Sequence, residues 1–279
     1  MSRLSLLLLV LLLACPTFAA DVRPLTVGTF NLRMPYDKGK HAWGARLPRC
    51  RTLLAQRRPV LLGVQEAHKH QLLSLIAGTS YAYIGGGRDD FRDRGEHSAI
   101  IYDRARLELL EQGTFGLSEK PDVPGVRSWK SACPRIATWG LFRDRLTQRR
   151  LLFYNTHLDH ISDQARVQGL QVILRHMQAK NQTSQLPVIL TGDFNATPSS
   201  KVYGSVTTEL DDTAAVSRTP HQGPAETFNG YRDTNRLTLD YIFVSKDIAV
   251  LRHLTDTTRF DDGAHASDHD PVFAVVELP

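Results

Sequence analysis

The most informative stretch of this 279-residue chain is Val188-Ile189-Leu190-Thr191-Gly192-Asp193-Phe194-Asn195. Its first three residues are continuously apolar, which predicts a short strand buried on both faces. The strand then runs into Gly192, Asp193 and Asn195, which are residue types that favour turns. A buried strand that delivers a carboxylate and an amide to its end is typical of a functional site at the rim of a layered sheet, although a plain turn gives the same pattern.

The same arrangement recurs along the chain, where apolar segments with the pattern of strands carry polar residues at one end. The polar ends are Asn31 of Leu25–Asn31, Glu66 after Val60–Gln65, His157 after Leu151–Thr156, Asp240 in Leu239–Val244, and Asp268 and His269 just before Pro271–Val276. Two further strands are predicted at Ser98–Tyr102 and Ile136–Phe142. We therefore expect these polar side chains to meet at one rim of the protein.

Helices are predicted between the strands. A helix capped by Ser162 extends to about Ala179, a second covers Arg46–Arg57, and a short third one begins at Pro198 behind Thr197. Helices among many strands favour a layered α/β sandwich over a strict βαβ repeat.

Three of the polar residues predict a metal site. Carboxylate and amide oxygens without cysteine ligands suit a hard cation, Mg²⁺ or Mn²⁺. We expect Asn31 and Glu66 to hold the cation directly, and Asp268 to lie near it or behind a coordinated water. Such a cation would neutralise the charge of a phosphoryl group.

The remaining polar residues predict catalysis of in-line attack by water. Asp193 would orient and deprotonate the water, and Asn195 would donate to it or to a phosphate oxygen. His269, held by Asp240, would donate to the phosphoryl oxygens, because a carboxylate partner favours the imidazolium form. His157 would contact the phosphate from the other side.

These motifs together resemble those of the endonuclease/exonuclease/phosphatase superfamily, which includes DNase I. The motifs, in order, are Thr29-Phe30-Asn31, Gln65-Glu66, Asn155-Thr156-His157, Gly192-Asp193-Phe194-Asn195, Leu239-Asp240-Tyr241 and Ser267-Asp268-His269-Asp270-Pro271. The resemblance spans about Leu25–Leu278 and implies the residue roles given above. It also implies an α/β fold, a four-layer α/β/β/α sandwich in which two mixed β-sheets pack face to face with helices outside, as in DNase I.

The chain divides into a predicted signal peptide, residues 1–19, and one domain, residues 20–279. A positive residue near the start, an apolar run and small residues at the cleavage position favour secretion or export to the periplasm. Lipoprotein processing at Cys15 is the alternative. The later Cys50 and Cys133 could form a disulfide or remain thiols.

The substrate and partners are less well specified. The net charge of +5 suits an anionic substrate, and nucleic acid, a phospholipid headgroup and a small phosphate ester all satisfy it. We expect a monomer without stable membrane insertion.

Two alternatives to a phosphate-ester hydrolase stay open. One is a non-catalytic phosphate-binding module on the same fold. The other is a metallo-β-lactamase-type dizinc hydrolase, because residues 155–160 differ at one position from its ligand signature.

Overall fold

The structure is a computed structural model that describes residues 23–279 except 233 and 235. The predicted signal peptide and Cys15 therefore lie outside the described residues. The strands are β1 Leu25–Asn31, β2 Leu61–Ala67, β3 Tyr81–Ile84, β4 His97–Asp103, β5 Leu107–Gly116, β6 Ile136–Asp144, β7 Arg150–His157, β8 Val188–Asp193, β9 Asp211–Asp212, β10 Asp240–Val244, β11 Ala249–Thr255 and β12 Val272–Glu277. The α-helices are α1 Trp43–Arg57, α2 Lys69–Ile76, α3 Asp163–Asn181, α4 Lys201–Glu209 and α5 Thr213–Val216, and short 3₁₀ turns lie at Gly39–His41 and Asp261–Gly263.

The strands form two six-stranded mixed sheets. The first has the order β11-β12-β1-β2-β4-β3 and the second the order β5-β6-β7-β8-β10-β9. Each sheet has one parallel pair, β1 with β2 and β7 with β8, and its other pairs are antiparallel. The two sheets face each other, since β1 lies against β8 and β10 while β2 lies against β7.

Three apolar layers hold this arrangement together. Residues such as Val27, Phe153 and Ile242 fill the space between the sheets. Helices α1 and α2 cover the outer face of the first sheet, and α3 and α4 cover that of the second. The four-layer α/β/β/α sandwich predicted from the sequence is therefore confirmed.

A polar layer interrupts the apolar space between the sheets, just below one rim. The buried amide of Asn155 donates to the backbone oxygens of Val64 and Ala99, and its oxygen accepts from Gln65 Nε2 at 2.7 Å. Gly63 leaves room for this layer, because a Cβ there would lie 2.4 Å from Asn155 Oδ1. The layer fixes β2 of one sheet against β7 of the other, next to the residues that end both strands.

The third predicted helix starts later than the sequence suggested. Residues 197–200 form a turn in which Ser200 N donates to Thr197 O, and α4 begins at Lys201. Ser200 is the N-cap, since its hydroxyl accepts from Tyr203 N. The prediction of a helix beginning at Pro198 is thus wrong by one turn.

Two features of residues 23–279 concern the cysteines and the helices. Cys50 is buried and Cys133 half-buried, and both are free thiols rather than a disulfide. Within the described part of the chain, no helix combines the length and apolar character that a membrane crossing needs.

Candidate active site

The eight predicted site residues meet at one rim of the two sheets. Pairing of β8 places Asp193 opposite both His157 of β7 and Asp240 of β10. Because β12 runs antiparallel to β1, the segment that enters β12 lies beside the end of β1. There the Ser267 hydroxyl donates to Asn31 O at 2.6 Å. Strand ends from both sheets therefore supply one cluster.

Asp193 lies at the centre of the cluster and is almost fully buried. Its Oδ2 accepts from Asn31 Nδ2 at 2.9 Å, and its Oδ1 accepts from the backbone N–H of Asn195 at 2.9 Å. The same Oδ2 is 3.5 Å from His157 Nε2 and 3.7 Å from His269 Nε2. Burial, and then the neighbouring charge of Asp240, raise the pKa of Asp193.

His269 is oriented by Asp240 from one side and by an aromatic ring from another. Its Nδ1 is 2.8 Å from Asp240 Oδ2, which also accepts from the Thr227 hydroxyl at 2.6 Å. The ring of Phe228 packs edge-on at a centroid distance of 5.0 Å. Burial acts to lower the pKa of His269, but the carboxylates of Asp240 and Asp193 raise it well above its usual value. This shift favours the imidazolium form of His269, and its Nε2 lies 3.7 Å from Asp193 Oδ2.

His157 has the opposite character. Burial, together with the positive charges of Arg135 and His269, lowers the pKa of His157 well below its usual value. The neutral ring accepts at Nε2 from Asn195 Nδ2 at 2.9 Å. Asn195 also donates to Leu158 O at 3.1 Å, and its backbone is left-handed with φ of 48°. In this arrangement the Asn195 amide fixes His157, while its role toward water or phosphate stays a prediction.

Glu66 and Asp268 form the side of the cluster where a metal ion was predicted. Glu66 Oε1 accepts from Asn31 Nδ2 at 3.1 Å and Oε2 accepts from Met34 N at 3.1 Å. Asp268 Oδ1 lies 3.2 Å from the Ser267 hydroxyl oxygen, whose single proton it shares with the shorter hydrogen bond to Asn31 O. Burial, and then the charge of Glu66, raise the pKa of Asp268, which means that the two carboxylates repel each other.

This donor set fits Mg²⁺ or Mn²⁺. Two carboxylates close enough to perturb each other are the hard oxygen donors that such a cation takes, and a cation between them would remove their repulsion. The Asn31 oxygen accepts from the backbone N–H of Arg33 at 2.9 Å. In this arrangement Asn31 therefore joins Glu66 to Asp193 through its amide nitrogen, and its role as a direct ligand stays a prediction.

A buried arginine on α1 holds together the two loops that carry this side. Arg46 is completely buried, and its guanidinium donates to five backbone oxygens, those of Leu32, Arg33, Met34, His41 and Ala266. Among the described residues, no carboxylate lies within ion-pair distance of it. The loop after Asn31 and the loop before Asp268 are thereby tied to the same planar group.

One wall of the site comes from the loop between β3 and β4. Arg88 Nη1 is 2.7 Å from Glu96 Oε2 and 3.4 Å from Cys133 Sγ. Next to it, Arg135 Nε is 3.6 Å from Asp159 Oδ2. Both guanidinium groups thus have a carboxylate within ion-pair distance.

Residues 155–160 do not form the dizinc arrangement that the sequence left open. The Asp159 carboxylate accepts from three backbone N–H groups, those of Ala132, Ile161 and Ser162. His160 Nδ1 is 2.8 Å from Arg135 Nη2, while His157 points toward Asp193. Potential ligand atoms of Cys133, Asp159 and His160 do lie within 4.8 Å of one another. A cation there would face two guanidinium groups, which disfavours it.

Three residues that contact the candidate site residues or their loops were not predicted from the sequence, namely Arg33, Arg46 and Thr227. Arg33 lies two positions after Asn31, and this closeness in sequence could have indicated that it lies near the site. Arg46 looks like a solvated helix residue, and only the three-dimensional course of two loops reveals its partners. Thr227, which donates to Asp240, lies in a segment without recognisable periodicity.

Comparisons with known proteins agree with this architecture. The sequence profile described as "Endonuclease/Exonuclease/phosphatase family" matches residues 28–269. No curated protein sequence matches the chain. A crystal structure of an endonuclease/exonuclease/phosphatase family protein from Bacteroides thetaiotaomicron is 32% identical, with a TM-score of 0.88, over 94% of this chain and 97% of that one.

Two further structures show the range of the fold. A mannosyl-6-phosphatase from Bacteroides thetaiotaomicron is 35% identical, with a TM-score of 0.85, over 91% of this chain and 99% of that one. The human nocturnin catalytic domain shares the fold at 19% identity, with a TM-score of 0.71, over 92% of this chain and 95% of that one.

Proposed function

Because the chain belongs to the endonuclease/exonuclease/phosphatase family, we propose that it is a secreted, Mg²⁺-dependent hydrolase of phosphate esters in which water attacks in line. The family and the similar structures support a phosphoesterase- or nuclease-type hydrolase. Mn²⁺ as an alternative cation, export to the periplasm or medium, and a monomeric state belong to the same proposal.

The observation that carries the proposal is the environment of Asp193. Two hydrogen bonds fix its carboxylate. Burial beside Asp240 raises its pKa, which makes the ionised carboxylate a stronger base for a water proton. Asn31 and Asn195 hold the carboxylate in one orientation, so the base is positioned before substrate arrives. Removal of the water proton by Asp193 is therefore the first step that we assign.

His269 then stabilises the phosphoryl group. As an imidazolium held by Asp240, it can donate its Nε2–H to a phosphoryl oxygen and stabilise charge that develops during attack. His157 is neutral and its Nε2 accepts from Asn195, so it supplies no second cation, and a hydrogen bond from its ring to the phosphate has to come from Nδ1–H.

Glu66 and Asp268 would hold the divalent cation. When bound, that cation supplies charge neutralisation at the phosphoryl group and the leaving oxygen. The protein's own contribution on this side is to keep both carboxylates in place through Asn31, Met34 N and Ser267.

Among phosphate esters, we propose a small one, with a hexose 6-phosphate as the first candidate. Among the described residues, Arg33, Arg88 and Arg135 each have a carboxylate partner, so these three do not form a row of free cations of the kind that tracks a nucleic-acid backbone. The 35% identity with a mannosyl-6-phosphatase favours the same choice. Nucleic acid and a phospholipid headgroup are the alternatives.

A hydrolysis panel tests this proposal. The substrates are mannose 6-phosphate, glucose 6-phosphate, bis-p-nitrophenyl phosphate, plasmid DNA, RNA and sphingomyelin, each with EDTA, Mg²⁺, Mn²⁺ or Zn²⁺. We expect Mg²⁺- or Mn²⁺-dependent release of phosphate from a sugar phosphate, and none from Asp193→Asn. Activity on DNA or RNA alone would replace the substrate class, and activity that needs only Zn²⁺ would contradict the assigned metal. Tight phosphate binding without turnover of any substrate would favour the non-catalytic module.

A further inference from the structure

A guanidinium group lies between the two carboxylates of the proposed metal site. Arg33 Nη1 is 3.6 Å from Asp268 Oδ2 and 3.8 Å from Glu66 Oε2. The Arg33 Nε is 3.2 Å from Asp37 Oδ2, and the side chain is about one-third exposed (32%). A single positive charge therefore contacts three carboxylates, two of which belong to the metal site.

The backbone of Arg33 is fixed in a way that aims this side chain. Its φ is 56°, a left-handed value that is uncommon for arginine. Its N–H donates to Asn31 Oδ1, and its carbonyl accepts from Arg46 Nη2 at 3.1 Å and from Gln71 Nε2 at 3.0 Å. Contacts on both sides of the residue thus hold an otherwise unfavourable conformation.

We propose that Arg33 is an internal counter-cation of the metal site, whose guanidinium balances Glu66 and Asp268 and competes with a divalent cation for them. This inference rests on the proposed function, because it takes Glu66 and Asp268 as the metal ligands. The two carboxylates repel each other, and the Arg33 guanidinium, which lies within 4 Å of both, offsets that repulsion. Competition follows, because the positive charge of Arg33 lowers the affinity of Glu66 and Asp268 for a divalent cation.

Asp37 gives the displaced guanidinium a second partner. Its Oδ2 accepts from Arg33 Nε and also from the Tyr231 hydroxyl at 3.2 Å, so this carboxylate is itself held in place. Loss of the contacts to Glu66 and Asp268 would leave Arg33 paired with Asp37. Arg33 therefore sets the strength of cation binding without leaving the site.

Isothermal titration of the folded protein with Mg²⁺ and with Mn²⁺ tests this inference directly. We expect Arg33→Gln to lower the Kd by about tenfold, because a unit charge less than 4 Å from both ligands is removed. Arg33→Lys keeps the charge and should stay close to the wild-type Kd.

The matched control is Arg143→Gln. Arg143 pairs with Glu108 at 2.6 Å and is similarly exposed, but it lies at the opposite end of β6 and β7 from His157. This variant changes the net charge equally, so its Kd should stay within about twofold of wild type.

Thermal unfolding supplies a second readout. In EDTA, Arg33→Gln should unfold at a lower temperature than wild type, because the repulsion between Glu66 and Asp268 is then unopposed. Saturating Mg²⁺ should raise the Tm of the variant more than that of wild type.

The outcomes separate the two proposals. If wild type does not bind Mg²⁺ or Mn²⁺, the proposed metal site fails and the inference fails with it. If wild type binds and Arg33→Gln binds with equal or lower affinity, Arg33 merely organises the loop and the counter-cation role is overturned, while the proposed function stands.

Discussion

Replacing Arg46 by methionine is the substitution that most sharply tests how this site is held. The side chain is completely buried, and its guanidinium donates to five backbone oxygens in two loops. Methionine fills a similar volume but donates nothing, so all five oxygens lose this donor, and Arg33 O keeps only its hydrogen bond from Gln71 Nε2. Hydrogen bonds from a charged donor contribute about 1.5–3 kcal/mol each, and removal of a buried charge recovers part of that sum.

We therefore expect Arg46→Met to lower the free energy of unfolding by about 3–5 kcal/mol. That is a large fraction of the roughly 5–15 kcal/mol typical of a whole domain. Urea unfolding measures it as a shift of the midpoint at an unchanged slope. Arg143→Met, which breaks a half-exposed pair with Glu108, is the control and should cost less than about 1 kcal/mol.

The same substitution should also affect the site. Arg46 binds the oxygens of Arg33 and Met34 on one side and of Ala266 on the other, two residues before Asp268. We expect weaker Mg²⁺ binding even under conditions where the variant is fully folded. A loss of stability below 1 kcal/mol with unchanged Mg²⁺ affinity would refute the view that this guanidinium joins the two loops.

Three other predictions follow from the site and the core. Asp193→Asn and His269→Ala should each reduce kcat by roughly three orders of magnitude while the protein stays folded, as expected for a positioned base and an electrostatic donor; near-wild-type kcat in either variant would contradict the mechanism. Glu66→Gln should raise the Mg²⁺ concentration needed for half-maximal activity, and an unchanged titration would remove Glu66 from the ligand set. Burial lowers the pKa of His253 to about 3, so between pH 6.5 and pH 3 the unfolded chain binds a proton that the folded chain does not, and stability falls as the pH falls through this range. His253→Gln should therefore be less acid-sensitive than wild type by about 1.5 kcal/mol between pH 6.5 and pH 5 in urea unfolding, and parallel pH profiles would contradict this assignment.

The strand ends were predictable because a continuously apolar run followed by a polar residue is the strongest local pattern in the chain. A continuously apolar segment such as β8 has to be buried, and a polar residue directly after it has to be at a rim. Pairing of adjacent strands then brings Asp193, His157 and Asp240 together without further information. Strands β3, β5, β9 and β11 were not predicted. These four are the edge strands of the two sheets, and β5 and β11 mix buried with exposed residues.

The residues that position the site were less accessible to prediction. Arg46 lies on a helix, where an arginine normally faces solvent, and its partners are backbone oxygens that carry no sequence signal. Thr227 bonds Asp240 across 13 residues of irregular chain. Contacts between loops depend on the complete path of the backbone, which periodicity does not encode.

The backbone conformation of Glu66 explains why such remote contacts matter. Glu66 has a φ of 57°, at a point where the pairing of β2 with β4 shifts between Val64 and Ala67. A left-handed conformation costs a residue other than glycine about 1–2 kcal/mol, and glutamate lacks the short side chain that lets asparagine offset part of this. Asn195 and Arg33 have the same left-handed backbone within the same cluster. Hydrogen bonds from Asn31, Met34 N and the Arg46 guanidinium surround these strained positions, so the surrounding contacts, more than local preference, hold Glu66 toward the proposed metal site.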